Sequence, residues 1–94
     1  MAKKKPTQKP FSARFPVRAS AALEILAENV RHRRKALNLS QAALADSIEV
    51  DQTEISKIEN ARGNPSVIFA ERLAEALGVS IAELFASRSS AKSA

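Results

Sequence analysis

At 94 residues the chain is long enough for one domain at most, and with no cysteine and a single histidine it excludes a disulfide framework, a thiolate zinc site and a histidine metal cluster. The net charge of +5 is unevenly placed: residues 1–19 carry Lys3, Lys4, Lys5, Lys9, Arg14 and Arg18 with no acid, whereas residues 20–87 carry seven bases against ten acids. The central part is therefore mildly acidic, and any contact it makes with a polyanion has to come from a local patch.

Residues 1–19 also hold Pro6, Pro10 and Pro16, the composition of an extended basic arm. Phe11 and Phe15 are out of place in a fully solvated tail, so part of the arm is expected to dock on the rest. From Ser20 the apolar spacing becomes helical. Leu23, Leu26, Val30 and Leu37 mark an inward stripe on a first helix, from about Ser20 to Leu37, which Asn38 can end. Ser40 is an N-cap for a second helix, Gln41 to Ile48, with Leu44, Ala45 and Ile48 inward. Asp51-Gln52-Thr53-Glu54 reads as a capping box opening a third helix to about Asn60, with Ile55 and Ile58 inward. Glu54 is expected to close that box rather than read a base. A fourth helix runs from Ser66 or Val67 to Leu77 and stops at Gly78. Ser80-Ile81-Ala82-Glu83 is a second capping box, opening a short fifth helix with Leu84 and Phe85. Residues 87–94 have the composition of a disordered tail.

No segment has strand periodicity. The expectation is an all-α, five-helix domain over residues 20–86, with the arm before it and the tail after it. No apolar run approaches the ~18–20 residues of a membrane span, and no secretory signal follows the basic start, so a soluble cytoplasmic protein without a membrane partner is expected.

Functional chemistry concentrates around the third helix. Its predecessor is joined to it by Glu49-Val50-Asp51, a turn too brief for an antiparallel pair, so the two helices must cross steeply. With Ile55 and Ile58 inward, Gln52, Thr53, Ser56 and Lys57 remain outward. These residue types bond base edges: Gln to adenine, Lys to guanine, Thr and Ser to either. An enzyme needs a nucleophile with a base, or paired carboxylates in a pocket, and the sequence supplies neither. His32 reads as an exposed helical residue. Arg31, Arg33, Arg34 and Lys35 complement the dipole at the first helix's end and can also attract phosphate.

Gln41 to Asn60 resembles the helix-turn-helix of the phage repressor and Cro class, the Xre family. The likeness covers about residues 26–85 and rests on Leu39-Ser40-Gln41, Ile55-Ser56-Lys57-Ile58-Glu59-Asn60, Asn64-Pro65-Ser66, Leu77-Gly78-Val79-Ser80 and Glu83-Leu84-Phe85 taken in order. It implies a lambda-repressor-like bundle that binds double-stranded DNA as a homodimer, with no cofactor. It places Gln52, Thr53, Ser56 and Lys57 in the major groove, and Arg34, Gln41, Asn60, Arg62 and Asn64 against phosphates. It further implies an Arg34–Glu59 ion pair tying the first helix to the third.

Two departures from the family pattern stand out. Asn38, Glu49 and Ala61 replace glycines common at three turns. Positive φ at Glu49 or Ala61 would carry strain of order ~1 kcal/mol, so either those turns differ or stability is marginal. Ile68 and Phe69 are more apolar than is usual at the start of the fourth helix. Together with Ile81, Leu84 and Phe85 they are the candidate dimer surface. The reading is a transcription regulator, most simply a repressor on a palindromic operator. An antitoxin with a toxin partner, or a controller of a restriction–modification operon, would share the fold, and a protein-interaction module is the rival class.

Overall fold

Ser20, Ser40, Ser66 and Ser80 each stand in extended conformation one residue ahead of a helical segment. Each hydroxyl accepts the N–H three residues on: Leu23 at 3.1 Å, Ala43 at 2.9 Å, Phe69 at 3.0 Å and Glu83 at 3.0 Å. One otherwise unpaired first-turn donor is thereby satisfied in each helix, worth about 1 kcal/mol apiece. The resulting elements of the computed structural model are α1 (Ala21–Ala36), α2 (Gln41–Ser47), α3 (Gln52–Glu59), α4 (Val67–Leu77) and α5 (Ile81–Leu84). The structure describes residues 20–88, and among them there is no strand. The docking expected of arm residues 1–19 lies outside the described residues; of the tail expected to be disordered, residues 87–94, Ser87 and Arg88 are described and half-buried, and residues 89–94 lie outside.

The first four helices end the same way. A residue in the left-handed region follows the last turn, and two amides bond back into it: Asn38 N to Lys35 O with Leu39 N to Arg34 O, Glu49 N to Asp46 O with Val50 N to Ala45 O, Ala61 N to Ile58 O with Arg62 N to Lys57 O, and Gly78 N to Glu75 O with Val79 N to Ala74 O. This is the Schellman arrangement, which usually places glycine at the left-handed position. Here only Gly78 is glycine. Asn38, Glu49 and Ala61 hold φ of 60°, 60° and 57°. The turns therefore keep the family geometry without its glycines, and the strain considered above is present at Glu49 and Ala61. The αL turn at Asn38 also corrects the first helix: it ends at Ala36, and Leu37, expected inward, is the cap residue and 45% exposed.

The core forms where the stripes meet. Leu26 and Val30 of α1, Leu44 of α2, Ile55 of α3, Leu73 and Leu77 of α4 and Leu84 of α5 are all fully buried. In so small a domain, truncating any of these leucines or Ile55 to alanine is expected to cost ~2–5 kcal/mol, a large share of the total stability. Two polar side chains are buried with them, Asn29 and Glu59. Asn29 occupies an inward position of α1, and its Nδ2 donates to Leu84 O and Ala86 O, both at 2.8 Å. The amide thus satisfies carbonyls left open at the end of α5, a helix too short to hold itself. Among the described residues, no helix is long and apolar enough to cross a membrane.

Candidate nucleic-acid interface

The packing of α3 against α2 follows from three local facts. Glu49 in αL reverses the chain after α2, Val50 turns inward against the core, and Ala45, 2% exposed, offers no bulk to keep α3 away. Helix α3 then buries Ile55, Ile58 and Glu59 and exposes Gln52, Thr53 and Lys57, with Ser56 half-buried beside them. The polar outer face is therefore a consequence of the inward spacing.

Glu59 is 5% exposed and is the hub behind that face. Arg34 grips it bidentately, Nε to Oε2 at 2.5 Å and Nη2 to Oε1 at 3.0 Å. Gln41 Nε2 donates to the same Oε1 at 3.1 Å, and Gln52 Nε2 donates to Gln41 Oε1 at 3.3 Å. The first side chain of the outward face is thereby connected, through Gln41, to a carboxylate anchored on α1. Arg31 adds a second grip, donating from Nη1 to the Glu59 carbonyl at 2.7 Å, where the C-terminal end of α3 accumulates negative partial charge. Two arginines three residues apart on α1 thus fix α3 in position.

Burial by itself would raise the Glu59 pKa. The bonds from Arg34 and Gln41 and the charges of Arg34 and Arg31 outweigh it, so the carboxylate is held below its ordinary range. Arg34 is raised by the same contact with Glu59, against the opposing effect of its own burial.

The remaining sequence-derived sites fall unevenly. Arg34 spends three donor contacts on Glu59 and on Leu39 O at 2.8 Å, and its side chain is only 11% exposed. Gln41 is engaged on both ends of its amide. Asn60 folds back on its own helix, Nδ2 donating to Ser56 O at 2.8 Å, so one donor of that amide is used before any phosphate arrives. Arg62 and Asn64 are exposed in the loop after α3. Of the dimer candidates, Ile68 (65%), Ile81 (38%) and Phe85 (38%) are exposed, and Phe69 is partly packed on the core. Leu84 is 1% exposed and interior to its own chain, so it has no surface to offer a second copy.

One capping box expected from the sequence is formed and one is not. Ser80 N donates to Glu83 Oε1 at 2.7 Å, which lowers the Glu83 pKa and completes the box at α5. At α3 the Asp51 carboxylate accepts no cap bond, because the Glu54 amide bonds instead to the Asp51 carbonyl at 2.9 Å. Glu54 turns toward Lys57 Nζ, 3.6 Å away. Sequence reasoning missed Asn29 as a clamp and Arg31 as an anchor. The signal for Asn29 was a polar residue three after Leu26 and beside Val30, on the buried stripe.

A short helix packed on its predecessor after a brief turn, polar outside and anchored from behind, is the architecture of a helix-turn-helix DNA-binding domain. Residues 30–84 match the family described as Helix-turn-helix, and the chain belongs to that family, in its phage-repressor or Xre form. It is 38% identical over 53 residues to control protein C.MunI of a Mycoplasma species, a match covering 56% of this chain and 72% of that protein. It is 39% identical over 57 residues to the cryptic phage CTXphi transcriptional repressor RstR of Vibrio cholerae, covering 61% of this chain and 51% of RstR. The crystal structure of the restriction-modification controller protein C.AhdI from Aeromonas hydrophila superposes with a TM-score of 0.66 at 32% identity, covering 70% of this chain and all of C.AhdI.

Proposed function

We propose that this chain is a sequence-specific transcription regulator, a repressor that binds a palindromic operator as a homodimer. The observation that carries the reading is the outward set Gln52, Thr53, Ser56 and Lys57 on a helix whose buried side is fixed by Arg31, Arg34 and Glu59. Side chains that read base edges discriminate only if their helix is held in one place. Gln52 and Lys57 then bond adenine and guanine edges, Gln41 orients Gln52, and Arg62 and Asn64 hold the backbone beyond. Arg34, Gln41 and Asn60 have donors already committed within the protein, so they contribute to phosphate binding mainly by setting the position of α3. The basic residues of positions 1–19 add sequence-independent attraction.

A regulator of this kind excludes polymerase by occupying a promoter, needing no cofactor and no catalytic centre. Its place is then the cytoplasm, on DNA. Likeness to two control proteins supports the reading as a controller of a restriction–modification operon. Dimerisation through Ile81 and Phe85 would cover apolar surface that the monomer leaves open and set two reading helices about 34 Å apart, one turn of duplex. A pure protein-interaction module is the second reading, favoured by Val67 and Ile68, which stand 72% and 65% exposed.

Selection of bound duplexes from a random pool tests the proposal. Enrichment of one site with two-fold symmetry is expected. No enrichment, with tight capture of protein partners through Val67 and Ile68, would transfer the function to the second reading.

A further inference from the structure

The outward side of α3 carries two formal charges, Glu54 and Lys57. Glu54 is not spent on the helix start, since the capping box does not form. Its carboxylate lies 3.6 Å from Lys57 Nζ, with side-chain exposures of 48% for Glu54 and 56% for Lys57. That separation is beyond a good hydrogen bond, and an exposed pair one turn apart is weak, so it opens at little cost when a better partner arrives. Both side chains border a hollow shared with Arg62, Gly63 and Asn64. The Lys57 stem runs past Gly63, where an added Cβ would lie 3.9 Å from Lys57 Cδ. The pair therefore stands at the edge of the outward face, beside the loop that follows α3.

We propose that Glu54 is a specificity-determining residue that acts with Lys57 to select a cytosine–guanine pair in the operator. The inference rests on the reading that α3 enters the major groove. A carboxylate there is repelled by phosphates on every sequence, and only a base that donates to it offsets the repulsion. Cytosine N4 is the donor that suits Glu, and guanine O6 and N7 are the acceptors that suit Lys. On a G·C pair the two acceptors are adjacent, with the donor at one side, which matches an ammonium next to a carboxylate. An A·T pair separates its acceptors by the adenine N6 donor and ends in a methyl group. The opposed charges also cancel along the outward face, so α3 lends no net attraction to arbitrary DNA. Glu54 thus lowers non-specific binding and rewards one base pair.

The test compares wild type, Glu54→Ala and Glu54→Gln in selection from random duplexes, with affinity for a random-sequence duplex measured by fluorescence anisotropy. Wild type is expected to recover a C·G pair at one position of each half-site. Glu54→Ala should lose preference at that position alone and bind random duplex severalfold more tightly at low salt, where phosphate repulsion is least screened. Glu54→Gln should shift the preference toward adenine, because an amide both donates and accepts. The residue is exposed, so circular dichroism should show all three chains equally folded. A wild-type site recovered unchanged by Glu54→Ala, with unchanged affinity for random duplex, overturns the role of Glu54 and leaves the DNA reading intact. A wild type that enriches no site removes both.

Discussion

Replacing Glu59 by alanine separates two accounts of a carboxylate that lies behind the outward face of α3. The substitution deletes the Arg34 contacts at 2.5 and 3.0 Å and the Gln41 bond at 3.1 Å, leaving the guanidinium with Leu39 O as its remaining acceptor here. A fully buried pair broken in this way costs ~3–5 kcal/mol. Arg34 keeps 11% of its side chain in contact with solvent, which reduces the penalty to about 1–3 kcal/mol. Each kcal/mol moves Tm by about 4–8 °C in a domain of this size, so a fall of roughly 10 °C is expected by calorimetry. Because the Glu59 pKa is depressed in the folded state, its stabilisation is present above the ordinary carboxylate pKa near ~4.3 and lost as pH falls through the lower folded value. The gap in Tm between wild type and Glu59→Ala should therefore be full at pH 7 and narrow below about pH 4. Operator affinity should fall as well, since Gln41 is released and Gln52 loses its support. Charge alone predicts the reverse, because a negative group is removed from beside DNA. Unchanged Tm together with tighter operator binding would refute the structural role.

Three further outcomes follow from the same geometry. Gln52→Ala and Lys57→Ala should each lose ~1–3 kcal/mol of specific binding and relax one position of the selected site, measured against a mismatched duplex; normal binding by both would mean that the reading face is misassigned. Ala61→Gly should raise stability by up to about 1 kcal/mol, since a Cβ at φ 57° is strained, and urea denaturation with an unchanged m-value would show it. Asn29→Leu should destabilise the fold by about 1–3 kcal/mol, because the Leu84 and Ala86 carbonyls lose their donor, and hydrogen exchange should speed first in α5.

The helices were legible because their boundaries are written in local chemistry. Serines at 20, 40, 66 and 80 and the apolar spacings of three and four are visible without knowing what packs on what. The outward face of α3 was legible for the same reason, as the complement of Ile55 and Ile58. What escaped the sequence depends on tertiary placement. Leu37 has the spacing of a core residue, yet the left-handed turn at Asn38 carries it out of the stripe. Asp51 and Glu54 have the spacing of a capping box, yet the Asp51 carbonyl takes the amide its side chain would have capped. Leu84 has the character of an interface residue, but it is enclosed by its own chain. Arg31 and Asn29 act on backbone carbonyls 28 to 57 positions away, which no local pattern encodes.

The central claim, that the outward side of α3 meets base edges of DNA, is tested most directly by titrating the selected duplex into isotope-labelled protein and following backbone amide resonances. The account predicts the largest shifts at Gln41, residues 52–57 and residues 60–64, with smaller changes at Arg31 and Arg34 behind them. Shifts confined to Val67 and Ile68 or to Ile81 and Phe85, with residues 52–57 unmoved, would contradict it.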